Sequence, residues 1–451
     1  MSAPNILLFI ADGLRGQALA PNSQVVAPNV RALAAGGIQV DNAYTPLPTC
    51  SPARASLMTG CYAQRVGMHF NPRDGWVLRP LSPYGLHPNE VTIAEILKQQ
   101  GYATAIVGKW HLGDQPEFLP TRQGFDWFFG LPYSDDMTAR VWKMDGSKWP
   151  PLPLMENEKV IEAPCDRTTL TKRYTERAME WIDSHKDQPF FLYLAYNAVH
   201  SPMHALDADQ DRFSDVADEN RRIYDGMLLA MDRSIGRVLE RLDRHGIADN
   251  TIVIFLNDNG GGESTKRYGG HSRNYANNLP LRGYKFDLFE GGVRVPMIVR
   301  WPGQVPAGKV YGEMVSSTDV YPTLLAAAGL RMPGGQPADG VDLLPFINGK
   351  NKSRPHEWLC WQNRSWLPRK KGGFVTPTPK VHNSAIRKGN WKLVRLNEKI
   401  GSDTPPPAWR LYDLAKDIGE RNDIANQNED VVKELSSLFG SWRSTMRPTL
   451  E

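Results

Sequence analysis

The chain has 451 residues, 41% of them hydrophobic and 23% charged, a balance that suits a folded globular protein and excludes disorder over most of its length. Its 53 basic and 49 acidic residues leave a formal net charge of +4, and no run of Lys and Arg gathers that charge into a nucleic-acid or membrane patch. Four cysteines without a CxxC pair exclude a disulfide framework and a paired-cysteine zinc or redox motif.

The first apolar run, Asn5 to Ile10, reads as a buried strand, too short for a signal or membrane segment. As given, the sequence suggests a soluble cytoplasmic protein, or a periplasmic or secreted one if a signal has been removed. Ala103 to Val107, Phe190 to Ala195, Ile252 to Leu256 and Pro296 to Val299 have the length and β-branched or aromatic content of further buried strands. Between them lie helical patterns. Thr92 and Glu95 form a capping box before Ile93, Ile96 and Leu97, and Gly101 supplies the stop. Tyr174, Ala178, Trp181 and Ile182 repeat at helical spacing, as do Ile223, Met227, Met231, Ile235, Val238 and Leu242. The stretch from Met144 to Pro164, rich in Pro and Trp, reads as a long irregular loop.

Continuous apolar strands alternating with amphipathic helices imply an α/β fold, a large mainly parallel sheet sandwiched by helices. After about residue 350 the pattern changes. Trp358 to Trp361, Ser384 to Arg387 and Trp391 to Leu396 read as short antiparallel strands and Asp430 to Trp442 as a terminal amphipathic helix. The expected organisation is a catalytic domain over 1–350 and a C-terminal α+β subdomain over 351–451.

Asp12, the pair Lys109 and His111, His200, and the pair Asp258 and Asn259 each follow one of the predicted strands almost at once. In open α/β sheets ligands bind beyond the carboxyl ends of the strands, so groups far apart in sequence are expected to converge there.

The segment Cys50-Ser51-Pro52-Ala53-Arg54, followed by Leu57-Met58-Thr59-Gly60, resembles the type I sulfatase signature, and so does Gly101-Tyr102 through Gly108-Lys109-Trp110-His111. Asn257-Asp258-Asn259-Gly260 and Leu281-Arg282-Gly283-Tyr284-Lys285 are similar to the family's metal and lysine blocks. The resemblance, to the arylsulfatase A-like branch of the alkaline phosphatase superfamily, covers nearly the whole chain. It implies hydrolysis of sulfate esters, on an aryl sulfate or a sulfated carbohydrate, with Cys50 oxidised to formylglycine by a maturation enzyme.

By that resemblance Asp12, Asp258 and Asn259 hold a divalent metal, and their oxygen donors suit calcium, with magnesium as the other choice. Arg54 supports the formylglycine, Lys109 and Lys285 bind sulfate oxygens, and His111 assists breakdown of the sulfated intermediate. His200 stands near the leaving oxygen, and Ser134 contacts sulfate. His271 is expected to line the substrate pocket, with His69, His204 and Trp149 as weaker pocket residues. Cys61, Cys165 and Cys360 carry no motif and are expected to pack as small apolar groups.

For each of these residues a blander reading exists. A buried Cys is usually a small hydrophobe, and an Asp or Asn after a strand is often a turn or cap residue. The surrounding motifs favour the catalytic readings. One position departs from the family, since many sulfatases have two adjacent aspartates where this chain has Asp12-Gly13. Two other functions are compatible with these motifs: a phosphonate monoester hydrolase or phosphodiesterase using the same formylglycine, and a catalytically silent relative that binds sulfated glycans.

Overall fold

The computed structural model describes residues 3–14, 27–138, 149–262, 278–334, 337–364, 381–399 and 406–446. Among them an eleven-stranded sheet runs through β1 (Asn5–Ala11), β2 (Ile38–Tyr44), β3 (Ala103–Lys109), β4 (Trp127–Leu131), β5 (Leu154–Glu156), β6 (Lys159–Glu162), β7 (Phe190–Ala195), β8 (Thr251–Asn257), β9 (Arg294–Arg300), β10 (Lys309–Tyr311) and β11 (Val315–Ser316). The spatial order is β10-β2-β9-β8-β1-β7-β3-β4-β5-β6, with β11 also on β2. The centre, β8-β1-β7-β3-β4, is parallel, while β9, β5 and β6 pair antiparallel. The sheet is thus mixed but mostly parallel, as the apolar runs predict.

The sequence of β1, NILLFIA, has no polar alternation because both its faces are covered. Leu7, Phe9 and Ala11 pack under α1 (Pro28–Ala35), α4 (Leu170–His185) and α5 (Glu219–Arg244). Ile6, Leu8 and Ile10 pack on the other face with α2 (Cys50–Thr59), α3 (Ile93–Gln99) and α6 (Val320–Ala327). Each fully buried aliphatic or aromatic side chain contributes about 2 kcal/mol, so these two cores fix the sheet between its helix layers. The capping box forms as expected, Glu95 N donating to Thr92 Oγ1 at 3.2 Å and Thr92 N to Glu95 Oε2 at 2.7 Å.

The expected irregular loop from Met144 to Pro164 is corrected in part. Its second half is the β5–β6 hairpin, turned at Asn157 (φ 53°) and extending the sheet past β4. Asn is one of the few residues that adopts this left-handed conformation readily, and strands of three and four residues are too short to leave a periodic signal.

A separate antiparallel sheet, β12 (Trp358–Arg364), β13 (Val381–Lys388), β14 (Trp391–Lys399) and β15 (Arg410–Asp413), carries α7 (Glu429–Ser444) on one face. Its other face meets the large unit, where Leu359, Trp361, Ala385 and Val394 pack with Tyr44, Leu288, Phe289 and Val293. No helix among the described residues is long and apolar enough to cross a membrane.

Register positions the site. In the parallel centre Ala11 is level with Asn257, Ile10 with Ala195, and Gly108 with Ala195. The residues that follow β1, β3, β7 and β8 therefore leave the same edge of the sheet.

Candidate active site

Cys50 is the first residue of α2, a helix whose ten residues are all buried, so its side chain is fixed at a helix N-terminus among the strand ends. Pro52 is tolerated because the first turn of a helix has no intrahelical acceptor for its missing N–H. One turn on, Arg54 is completely buried. Its Nε and Nη2 reach Asp258 Oδ2 at 3.0 and 2.9 Å, Nη1 donates to the Lys109 carbonyl at 2.7 Å, and Nη2 lies 3.5 Å from Asp12 Oδ2. Arg54 also comes within 3.5 Å of the Tyr193 hydroxyl, a β7 contact that the sequence did not single out.

Backbone hydrogen bonds lock the strand-end loops together. Asp12 N donates to Ala198 O and Val199 N to Asp12 O, both at 2.9 Å, while Asp258 N donates to Ala11 O. Trp110 N and His111 N donate to Leu131 O and Pro132 O, joining the Lys109 segment to the loop carrying Ser134. Gly108 has φ 117°, and a Cβ there would lie 1.9 Å from the Ala195 carbonyl oxygen, so only glycine lets β3 pass β7 at this point. Lys285 is brought in by three such bonds around it: Lys285 N to Gly261 O, Phe286 N to Pro48 O and Gly260 N to Gly292 O.

The side chains converge on Asp12 and Cys50. Lys109 Nζ lies 2.5 Å from Asp12 Oδ2 and 3.0 Å from Ser134 Oγ. Lys285 Nζ lies 2.7 Å from Cys50 Sγ and 3.7 Å from Asp12 Oδ1. His200 offers a nitrogen close enough to Asp12 and Cys50 for the three to share one ion. Three fixed cations, Arg54, Lys109 and Lys285, thus face two carboxylates, Asp12 and Asp258, an excess of positive charge that suits an anion.

Burial and these charges set protonation. Burial alone would raise Asp12, but Lys109, His200, Lys285 and Arg54 hold its carboxyl well below the usual range. Burial and then Asp12 push the Cys50 thiol up to about 11. Against burial, Cys50, Asp12 and Asp258 hold Lys285 above the ordinary lysine value, and Asp12 does the same for Lys109. His111 is driven well below the usual histidine value by burial and by Lys109 and Arg54. Its Nε2 lies 2.9 Å from the Leu78 carbonyl, which can only accept, so the proton is on Nε2 and the partnerless Nδ1 is an acceptor.

The donor set fits a hard divalent cation. Asp258 Oδ1 and Asn259 Oδ1 are buried with no hydrogen-bond partner among the described residues, Arg54 ties Asp258 to Asp12, and carboxylate and amide oxygens are donors of the kind that calcium or magnesium takes.

Of the residues expected from sequence, Cys50, Arg54, Lys109, Ser134, His200, Lys285, Asp12 and Asp258 are brought together, with Asn259 and His111 adjoining them in sequence and buried. His271 lies outside the described residues. Trp149 is part of the large core, and His69 lies near Arg364 and His382 instead. His204 stands 3.6 Å from Asp135, a residue the sequence reading missed. Cys61, Cys165 and Cys360 are buried free thiols, as expected.

A buried cysteine at a helix start, with the cations of Lys285, Lys109 and Arg54 gathered about it and Asp12, is an arrangement that suits an anionic ligand. Residues 4–330 match the sulfatase family model, and residues 284–444 match the model described as N-sulphoglucosamine sulphohydrolase, C-terminal. The chain belongs to the sulfatase family, and hydrolysis of a sulfate ester is its reaction. It is 34% identical to arylsulfatase A of Homo sapiens over 96% of this chain and 87% of that protein. To N-acetylgalactosamine-6-sulfatase of Mus musculus it is 35% identical, over 78% of this chain and 68% of that one. Among solved structures, Ps i-CgsB in complex with k-i-k-neocarrahexaose superposes with a TM-score of 0.80 at 31% identity, covering 98% of this chain and 93% of that chain. The phosphonate monoester hydrolase of Agrobacterium radiobacter shares the fold, with a TM-score of 0.66 at 21% identity over 98% and 95% of the two chains. Sulfatases are generally formylglycine- and metal-dependent.

Proposed function

We propose that this sulfatase removes sulfate from a sulfated carbohydrate, with Cys50 converted to formylglycine by a maturation enzyme and calcium held by Asp12, Asp258 and Asn259. The observation that carries this reading is the meeting of Cys50 with Lys285 at 2.7 Å and with Asp12, itself paired to Lys109 at 2.5 Å, in one buried cluster. The carbohydrate follows from two relatives, one named for N-acetylgalactosamine 6-sulfate and one crystallised with a carrahexaose.

The formylglycine hydrate supplies the attacking hydroxyl and, by returning to the aldehyde, a route to free sulfate. The metal supplies Lewis acidity toward sulfate oxygens. The chain's own residues do the rest. Lys109 and Lys285 hold the sulfate by its oxygens and stabilise charge that grows on them, in a site from which water is largely excluded. Ser134, fixed by its bond to Lys109, orients one more oxygen. Arg54 supports the formylglycine and bridges Asp12 and Asp258 through one oxygen of each, leaving their other oxygens free of it. His200 gives its proton to the departing alcohol oxygen. His111, neutral with Nδ1 free, takes the proton lost when the sulfated intermediate breaks down.

Screening defined sulfated sugars, with aryl sulfate and aryl phosphonate esters alongside, tests the substrate class, using protein whose residue-50 peptide carries the aldehyde by mass spectrometry. Cys50→Ala is expected to abolish sulfate release while leaving the fold intact, because only a small side chain is lost. Substantial residual turnover, or faster phosphonate than sulfate cleavage, would overturn the reading.

A further inference from the structure

Asp135 is fully buried, and neither of its carboxylate oxygens has a hydrogen-bond partner among the described residues. Such a group costs several kcal/mol unless something pairs with it. Two rings face it. His200 Nδ1 is 3.7 Å from Oδ1, and His204 Nε2 is 3.6 Å from Oδ2. His200 Nδ1 is itself buried and partnerless. A buried acceptor and a buried ring nitrogen, each otherwise unsatisfied among the described residues and each facing the other, are partners that need to close by roughly half an ångström or a little more.

We propose that Asp135 is a positioning residue for the sulfatase reaction, its carboxylate taking the Nδ1–H of His200 so that Nε2 is the nitrogen presented to the leaving oxygen. The inference rests on the role proposed above for His200. A carboxylate only accepts, so this contact fixes the proton on Nδ1 and leaves Nε2 to carry the proton that is donated. With Nδ1–H held in this way, the ring donates from Nε2 only in the form that carries both protons. Both ends of the contact are anchored. The Asp135 carbonyl accepts from Arg167 Nη1 at 3.2 Å, and His200 N donates to Asn197 O at 2.8 Å. His204 is committed at its other nitrogen, Nδ1 lying 2.7 Å from the Pro202 carbonyl, so it flanks Asp135 without reaching the centre. Asp135 remains below the usual carboxylate range despite burial, drawn down by His200 and His204.

The test is a leaving-group comparison on the formylglycine-bearing enzyme, 4-nitrophenyl sulfate against a sugar or alkyl sulfate, for wild type, Asp135→Asn, His200→Ala and the double variant. Asp135→Asn keeps size and removes charge. Its kcat on the alkyl or sugar sulfate should fall on the order of 10²-fold, and on 4-nitrophenyl sulfate no more than about 3-fold, with KM nearly unchanged, because a good leaving group needs little protonation. The double variant should be no slower than His200→Ala, since a residue that acts through another loses its effect when the other is gone. If Asp135→Asn does not fold, Asp135→Ser carries the same comparison.

Equal losses on both substrates, or additive losses in the double variant, would make Asp135 merely structural and overturn the proposal. Leaving-group dependence in His200→Ala without it in Asp135→Asn removes the Asp135 step and keeps the acid. Loss of that dependence in His200→Ala itself removes both. Asp135, Asp136 and His200 are also close enough to hold a cation together. A second bound ion by metal analysis, absent in Asp135→Asn, would replace the proposal with a metal site.

Discussion

Lys109 and Lys285 look alike in sequence but differ in what their removal exposes. Lys109 is wholly buried against Asp12 at 2.5 Å, and Lys285 is 8% exposed and reaches Cys50 and Asp12. Removing either takes a cation from the sulfate site and is expected to lower kcat on the order of 10²-fold or more. Lys109→Met should in addition destabilise the metal-free protein by about 3 kcal/mol, since a buried carboxylate loses its nearest partner, whereas Lys285→Ala should change thermal stability little. Parallel kinetics and melting curves after chelation check both halves; equal melting temperatures would contradict the difference drawn here. Gly13 bears on the metal. Its φ is 71° and a Cβ there meets nothing within 4 Å among the described residues, so Gly13→Asp meets no clash at Cβ but costs about 1 kcal/mol for the left-handed backbone. The variant is expected to fold, to bind calcium more tightly than wild type and to resist chelators, as read by calcium titration of metal-free protein. Unchanged affinity in a folded variant would place residue 13 away from the metal. Most of the site was legible at this scale because motif residues keep their neighbours in sequence. Asp135 was not, because a carboxylate's partner across a loop leaves no spacing signal, and the Asp135-Asp136 pair reads equally well as a turn.

At the scale of elements, strands buried on both faces and helices with a 3.6-residue stripe were readable, since their periodicity records what covers them. β2 and β4 were not read although they have seven and five residues, nor were the β5–β6 hairpin, β10, β11 and β15: two to four residues carry no period, and pairing partners far along the chain decide whether they form strands at all. The turn before α6 makes another kind of link that only the fold displays. Asp319 accepts from Ser316 N at 2.7 Å and Val341 N at 2.9 Å, and His356 Nε2 stands 2.8 Å from its Oδ1 and 2.9 Å from its Oδ2. Burial works against a charged His356, yet Asp319 outweighs it and the ring stays protonated above the ordinary histidine value of 6.5. A pKa raised by folding stabilises the folded state fully below about pH 6.5 and loses that contribution as pH rises through the folded value. Wild type should therefore melt higher than His356→Gln at pH 6, with the gap narrowing as the pH is raised from there. A gap that widens with pH would have the wrong sign for this pair.

For the whole molecule, the change of pattern near residue 350 marks a second sheet but does not make it independent of the first. Glu290, in the turn that follows the Lys285 segment, is fully buried and reaches the small sheet through Lys392 Nζ at 2.7 Å and Arg387 Nη1 at 3.5 Å, while its hydroxyl partner Tyr44 belongs to β2. Glu420 closes the circuit, accepting from Glu290 N at 2.8 Å with Lys392 Nζ 3.8 Å away, and burial pushes its carboxyl up to about 7. The segment that delivers Lys285 to the site is thus held from both sides, with Leu288 and Phe289 inside the shared core. Lys392→Met would take from Glu290 its nearest cation, leaving Arg387 and Arg294, and should cost about 3 kcal/mol, lowering sulfatase activity although residue 392 touches no substrate. Denaturant unfolding followed by tryptophan fluorescence should give one transition in wild type, since the interface joins both sheets in a single cooperative unit. In Lys392→Met the same transition should move to lower denaturant together with loss of activity. If the small sheet instead melts first while sulfate release persists, Lys285 is held in place without it, and the boundary at 350 separates two autonomous domains.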